Sequence, residues 1–391
     1  MNILQRCLLL SCYAFSANAL VSWPSKNSQQ LNKVGRVSAG PIDISGMGVG
    51  TWSWGNRLLF DYSPDQDEDI YEAYRAVRDA GVSIFDTADS YGTLDLNGRA
   101  EILLGRFERR YLDEKMADSN ESNNQNEQNF FSAFVNNQAN GKKMPPSQQV
   151  ATKLAPYPWR ITPSSMVNAV EASLKRLEQD KLTLAQLHWS TANYQPFQEK
   201  ALWEGIGDVY DKGLCEAVGV SNYGPIQFQK ISQYMRDRSV PLATAQIQYS
   251  LMTYQDAKDM NAVCDDENCR LISYSPLCLG LLTGKYTLDN LPKGNTNPRR
   301  QLFRELLPGA QGLLNTLEVI GKDLNKSQSQ VAINWALCKD TVPIVGVRTL
   351  KQAEENLGAY GWKMDKAMVE ELDRAALSVG KPMIQNIFQT K

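Results

Sequence analysis

Val82-Ser83-Ile84-Phe85-Asp86-Thr87-Ala88-Asp89-Ser90-Tyr91-Gly92 begins as a buried strand and ends as a polar rim. Its first half is short, apolar and rich in β-branched and aromatic side chains, the composition of a strand interior. Upstream, Ile70, Ala73, Tyr74 and Val77 recur at helical spacing, so a helix precedes this strand. Outward from here the alternation repeats. Strand-like runs follow at Gln149-Val150-Ala151-Thr152, Leu184-Ala185-Gln186-Leu187, Ala217-Val218-Gly219-Val220, Ala243-Thr244-Ala245-Gln246-Ile247, Leu271-Ile272-Ser273-Tyr274 and Val342-Pro343-Ile344-Val345. Gly46 to Gly50 is a glycine-rich first member. Helical faces lie between them, at Met166, Val170, Leu174 and Leu177 and at Leu313, Leu317, Ile320 and Leu324, and Thr162-Pro163 marks a helix start. Eight β-then-α units predict an α/β fold of one kind, a parallel sheet closed into a single (β/α)8 TIM barrel. Val34 to Ile44, turning at Ser-Ala-Gly-Pro, predicts a hairpin ahead of the first barrel strand.

The barrel is expected over residues 34–391, and the first 33 residues read differently. Arg6, the apolar run Cys7 to Phe15, and Ala17-Asn18-Ala19 have the order of a signal peptide, with a run too short to span a bilayer. Beyond Ala19 the five cysteines Cys215, Cys264, Cys269, Cys278 and Cys338 are odd in number and lack C-x-x-C spacing, unlike a disulfide framework. A signal followed by a reduced-looking enzyme predicts a bipartite presequence leading to a plastid within the endomembrane system, with residues 20–33 as its second half. The secretory pathway is the alternative, and two N-x-S sequons, at Asn120 and Asn325, do not decide between them. The chain carries 41 basic and 43 acidic residues, a balance that favours neither nucleic acid nor an anionic membrane as partner of the mature protein. Nothing in the pattern sets an oligomeric state.

Met116 to Gln149 breaks the rhythm, being rich in Asn, Gln and Ser. Such a stretch cannot bury enough apolar area to order itself, and 116–149 is expected to be a disordered insertion before the third barrel strand. Phe130, Phe131 and Phe134 within it read as part of a surface loop rather than a docking element.

In such barrels the C-terminal ends of the strands line the active site. Those ends carry polar residues that apolar strands do not otherwise need: Asp86 to Tyr91, Thr152-Lys153, His188-Trp189, Ser221-Asn222, Gln246 and Tyr274-Ser275. His188 is the single histidine of the chain. Each alone has an ordinary explanation, as a turn residue, a solvated charge or a structural histidine. Asp86, Tyr91, Lys153 and His188 together on three neighbouring strand ends form a catalytic constellation. A metal-dependent hydrolase would need several His or carboxylate ligands there, and no metal site is expected. Gly46-x-Gly48-x-Gly50-Thr51 is not a dinucleotide fingerprint, because Thr51 stands where the third glycine should be and no acidic ribose ligand follows.

Phe85-Asp86-Thr87-Ala88-x-x-Tyr91-Gly92, Ala151-Thr152-Lys153, His188-Trp189, Gly219-Val220-Ser221-Asn222-Tyr223 and Tyr274-Ser275-Pro276-Leu277 together resemble the aldo-keto reductases. Gly50-Thr51-Trp52-Ser53-Trp54-Gly55 and Leu104-Gly105-Arg106-Phe107 are closest to plant-type chloroplast members. The resemblance runs from about Val34 to about Leu377. It implies NADPH-dependent reduction of a small aldehyde or ketone, with Tyr91 as general acid, Lys153 lowering its pKa, Asp86 holding Lys153, and His188 orienting the carbonyl. It implies that Gly50, Thr51, Trp52, Asp86, Ser221, Asn222, Gln246, Tyr274, Ser275, Pro276, Leu277 and Lys285 hold the nicotinamide and pyrophosphate. Gly346, Arg348, Gln352, Glu355 and Asn356 would take the adenosine 2′-phosphate, Arg348 favouring NADPH over NADH. Trp52, Trp54, Tyr91 and Trp189 would form an apolar pocket with a broad preference for apolar or aromatic aldehydes.

Two positions depart from the family: Ser190 stands where proline is usual, and Arg348-Thr349 replaces Lys-Asn. Leu279 to Arg304 resembles the segment that folds over the cofactor, and its Gly294 and Pro298 fit a mobile flap. A non-catalytic barrel that binds NADPH and reports redox state to a protein partner is the alternative; the intact tetrad favours the enzyme.

Overall fold

The computed structural model describes residues 34–121, 147–293, 297–383 and 390. The expected presequence and the centre of the expected insertion lie outside the described residues, as do Phe130, Phe131, Phe134 and Gly294.

A two-stranded hairpin, β1 (Arg36–Ala39) and β2 (Ile42–Ser45), leads the chain. Gly40 turns it with φ 55°, a left-handed conformation that glycine adopts without Cβ strain. Eight parallel strands then close a barrel: β3 (Gly48–Gly50), β4 (Ile84–Ala88), β5 (Gln149–Leu154), β6 (Leu182–Leu187), β7 (Cys215–Ser221), β8 (Leu242–Gln248), β9 (Arg270–Tyr274) and β10 (Val342–Gly346). β10 pairs with β3, so the sheet has no free edge. The surrounding helices are α1 (Asp67–Asp79), α2 (Arg99–Glu121), α3 (Pro163–Leu177), α4 (Pro196–Asp211), α5 (Pro225–Asp237), α6 (Met260–Asp266), α7 (Pro298–Leu324), α8 (Gln328–Cys338), α9 (Leu350–Leu357) and α10 (Lys366–Leu377). The faces read from sequence are the buried ones, for example Ile70, Ala73, Tyr74 and Val77 of α1 and Met166, Val170, Leu174 and Leu177 of α3.

Residues 116–121 are helical, which corrects the expectation of disorder at the start of the 116–149 segment; at its other end Gln149 opens β5, where the strand-like run was read. The helix is carried that far by the Lys115–Asp79 ion pair to α1, at 2.8 Å, and by an Arg110–Glu114 pair one turn apart.

Ile84, Ala151, Leu184, Ala217, Ala243, Ile272, Val342 and Ile344 fill the lower barrel, and Ala39, Ile42 and Ile44 of the hairpin close its floor. A second apolar layer lies between the barrel and the helices.

Candidate active site

Side chains alternate along a strand, so residues two apart share a face. Ile84, Ala151 and Leu184 belong to the inner core, and Asp86, Lys153 and Gln186 stand two positions further along the same strands. Lys153 Nζ bonds Asp86 Oδ2 and donates to Thr87 O at 2.9 Å. Both partners are almost fully buried, at 1% and 2% exposed, so each depends on the other for its charge. The backbone N–H and hydroxyl of Thr51 donate to Asp86 O at 2.9 and 3.0 Å and fix that strand end from β3.

Lys153 Nζ lies 4.8 Å from the centre of the Tyr91 ring, and Tyr91 meets His188 edge-on at 5.8 Å. The four residues expected from three strand ends therefore converge. Burial holds the Tyr91 hydroxyl well above the ordinary phenol range, reinforced by the Asp86 and Tyr274 charges. This direction is opposite to the lowering by Lys153 that the resemblance implies. Burial lowers Lys153, opposed by Asp86. Burial and then Lys153 hold His188 well below the usual imidazole range, so the ring is neutral. Its Nδ1 is buried without a hydrogen-bond partner.

The next strand ends supply amides. Asn222 has a left-handed backbone, φ 60°; its Nδ2 donates to His188 O at 2.9 Å and to Ser221 Oγ at 3.0 Å, and its Oδ1 accepts from the Tyr274 hydroxyl at 2.8 Å. Gln246 Nε2 is turned inward to Asp86 Oδ1 at 2.6 Å. Thr390, near the chain end, seats against this rim, its N–H on Asn222 O and its Oγ1 accepting from Gly224 N.

The residues expected to hold a dinucleotide fit one. Gly50 and Gly346 are paired across β3 and β10, and a Cβ on either would meet no protein atom within 4 Å, so the space above them is open. Ser275, Cys278, Leu279 and Gly280 all have positive φ, a cluster of left-handed backbone of the kind found in anion cradles. Pro276 is buried and Leu277 half-buried in the same loop, and Lys285 is exposed beyond it.

Arg348 is half-buried, with Nη1 on Phe60 O at 2.7 Å and its N–H on Gln352 Oε1 at 2.9 Å. Its pKa is lowered by burial and then by the neighbouring Arg299. Arg299 is buried, donates to Leu279 O at 2.9 Å, and leaves its Nε without a partner. Two guanidiniums that each lie 5.5 Å from the centre of the Phe60 ring, neither ion-paired to a carboxylate among the described residues, are suited to an anion. Thr349 Oγ1 accepts from Gln352 N and caps α9. Glu355 is bonded to Ser327 Oγ, and Asn356 is buried with Nδ2 3.4 Å from Gly346 O.

Trp52 and Trp189 are half-buried at the mouth, Trp189 held by its Nε1 on the Tyr194 hydroxyl at 2.7 Å. Trp54 is not a pocket residue. It is fully buried, donates to Val347 O at 2.8 Å and packs edge-on against Phe107, because the turn after β3 points it outward into the helix layer.

Three participants escaped the sequence reading. Arg299 sits in the segment taken as a flap. Gln186 is a polar residue within an otherwise apolar strand, a signal that alternation alone could have flagged. Glu199 of α4 is a buried carboxylate accepting from Ser190 Oγ, Thr191 N and Oγ1, Trp203 Nε1, the Tyr223 hydroxyl and Gln227 Nε2. It ties the loop after β6, which bears His188 and Trp189, to the loop after β7. Ser190, where the family has proline, is one of its donors.

A closed eight-stranded barrel thus brings Asp86, Tyr91, Lys153 and His188 together at its C-terminal mouth. The chain belongs to the aldo/keto reductase family, whose model matches residues 46–376. It is 46% identical to the chloroplastic pyridoxal reductase of Arabidopsis thaliana, over 91% of this chain and 90% of that protein. It is 29% identical to an aldo-keto reductase of Bacillus subtilis, over 83% of this chain and 87% of that one. Among solved structures, the glycerol dehydrogenase of Gluconobacter oxydans superposes with TM-score 0.67 at 21% identity, covering 92% of this chain and 99% of that one. A Bombyx mori aldo-keto reductase in complex with NADP does so with TM-score 0.58 at 18% identity, covering 88% and 93%. These two likenesses bear on the fold. Family membership makes the chain an NADP-dependent oxidoreductase that acts on carbonyl groups.

Proposed function

We propose that this protein reduces an aromatic aldehyde of the pyridoxal type to its alcohol, with NADPH as reductant and Tyr91 as the proton donor. The observation that carries this reading is the 46% identity over nearly the whole chain to a pyridoxal reductase, with the tetrad complete at the barrel mouth. The half-buried aromatic rims, Trp52 and Trp189, suit a flat ring.

NADPH, when bound, supplies the hydride taken up by the carbonyl carbon. Tyr91 gives its hydroxyl proton to the carbonyl oxygen as charge develops there. Lys153, charged through its contact with Asp86, stabilises the phenolate left behind. Neutral His188 orients the carbonyl oxygen by hydrogen bonding. Ser221, Asn222 and Gln246 would bind the carboxamide, which requires Gln246 to share or exchange its bond to Asp86. Tyr274 would pack on the nicotinamide ring, Ser275 to Gly280 would follow the pyrophosphate, and Arg348 with Arg299 would take the 2′-phosphate. The presequence reading and the chloroplastic relative together support action in a plastid.

The test is NADPH consumption by a protein beginning at Val34, against pyridoxal, other aromatic aldehydes and short aliphatic aldehydes. The expected result is a kcat/KM at least about ten-fold higher for pyridoxal than for the aliphatic set, the scale of one well-filled apolar contact. Equal values across the panel would remove the ring preference.

A further inference from the structure

We propose that Gln186 is a positioning residue for Asp86, holding its carboxylate aimed at Lys153 during proton transfer. This rests on the reading of Tyr91 as the acid. Gln186 is fully buried inside the barrel, paired in register with Lys153 on one side and Gly219 on the other. Its Nε2 lies 3.3 Å from Asp86 Oδ1, while Oδ2 of the same carboxylate takes Lys153. The other amide on Oδ1 is Gln246, which the resemblance also assigns to the cofactor. Whatever share Gln246 gives to the cofactor, the Gln186 amide, enclosed by the barrel, is directed to Asp86.

Two observations make Gln186 more than a space-filling residue. Its Oε1 is buried with no partner, so an apolar side chain of the same volume would avoid a desolvated acceptor. The barrel also makes room for it: a Cβ on Gly219 would stand 3.2 Å from Gln186 Cγ and 2.3 Å from Thr244 Oγ1. A donor on Oδ1 offsets part of the negative potential that Asp86 exerts on Tyr91, whose hydroxyl that charge raises. Losing that donor makes Tyr91 a weaker acid and leaves Lys153 less firmly directed.

The experiment compares Gln186→Leu and Gln186→Glu across pH, reading kcat for aldehyde reduction and NADPH affinity separately. Around position 186, β4 brings Asp86, β5 brings Lys153, which also feels Asp89 of the loop after β4 and Glu101 of α2, β7 brings Gly219, and β8 brings Thr244 and Gln246. Tyr91 and His188 stand at the rim above them. Gln186→Leu should lower kcat about ten-fold or more at every pH, the loss expected for one hydrogen bond to a charged group, with NADPH affinity within about two-fold. Gln186→Glu should be active when the new carboxyl is protonated and can donate to Asp86. It should lose activity as pH rises and the two carboxylates repel, adding a limb to the profile that the parent lacks. If Gln186→Leu fails to fold, the added limb in Gln186→Glu decides alone. Parent-like kcat in Gln186→Leu, or a Gln186→Glu profile parallel to the parent's, overturns the proposal. Tyr91→Phe is run beside them: if it keeps turnover, the acid assignment falls and the proposal with it. If it is inactive while Gln186→Leu is normal, only the positioning role fails.

Discussion

Ile84 and Asp86 point to the same side of one strand, two residues apart, and so do Ala151 and Lys153, and Leu184 and Gln186. The lower member of each pair fills an apolar layer sealed by the hairpin; the upper member is charged or amide-bearing and nearly as deeply buried. The lower layer is stabilising by removal of apolar area from water. The upper layer carries desolvated charge, which costs free energy unless every member is partnered, and it retains orphaned atoms at Gln186 Oε1 and His188 Nδ1. One strand scaffold thus holds the fold at one level and the chemistry at the next.

That division predicts separable failures. Tyr91→Phe removes only the proton donor and should cut kcat by about 10²–10⁴-fold with little change in Tm, measured by steady-state kinetics and thermal melting. A large fall in Tm would mean that the mouth also holds up the fold. Ile84→Ala should do the reverse. The cavity left in the lower layer should cost about 2–5 kcal/mol in denaturant unfolding, with kcat near the parent's in the protein that remains folded. Arg348→Ala should weaken NADPH binding about ten-fold or more by fluorescence titration while leaving NADH nearly unchanged, since a charged bond to the 2′-phosphate is what is lost.

A subtler consequence concerns pH, because the upper layer titrates and the lower does not. His188 is held below its unfolded value of about 6.5, so the unfolded chain binds a proton that the folded one refuses. This contribution to stability is complete above about pH 6.5 and declines as pH falls below that value. His188→Gln should flatten that part of the stability curve; identical slopes would mean that His188 is not buried neutral. The smallest effect is expected from Ser190→Pro, which removes one of six donors to Glu199. The aldehyde KM should rise a few-fold with kcat retained, and an unchanged KM would separate that loop from the pocket.

The lower layer was legible from sequence because period-two apolar runs have few other readings. The convergence of Asp86, Tyr91, Lys153 and His188 was legible because they gather on three neighbouring strand ends, although each alone has an ordinary structural explanation. What escaped lay where one residue type serves two environments. Trp54, two residues after Trp52, looks the same in sequence but packs into the core, since a turn does not keep strand alternation. Glu199 reads as a solvated helix charge until the folded loops surround it with six donors. Arg299 is one of several arginines at the start of α7, and only the fold sets it against Phe60 beside Arg348. The tail of α2 escaped because its Asn and Ser residues argue against helix, while the packing and ion pair of the preceding turns carry it through.

The central claim is that the upper layer performs hydride and proton transfer to an aromatic aldehyde. Its most direct test supplies NADPH deuterated at the transferred position of C4, with pyridoxal, to the parent and to Tyr91→Phe. The product is then analysed by mass spectrometry. The account predicts one deuterium at the alcohol carbon in the parent product, one product formed per NADPH consumed, and almost no product from Tyr91→Phe despite normal cofactor binding. Product lacking the deuterium, or equal product from Tyr91→Phe, would contradict it.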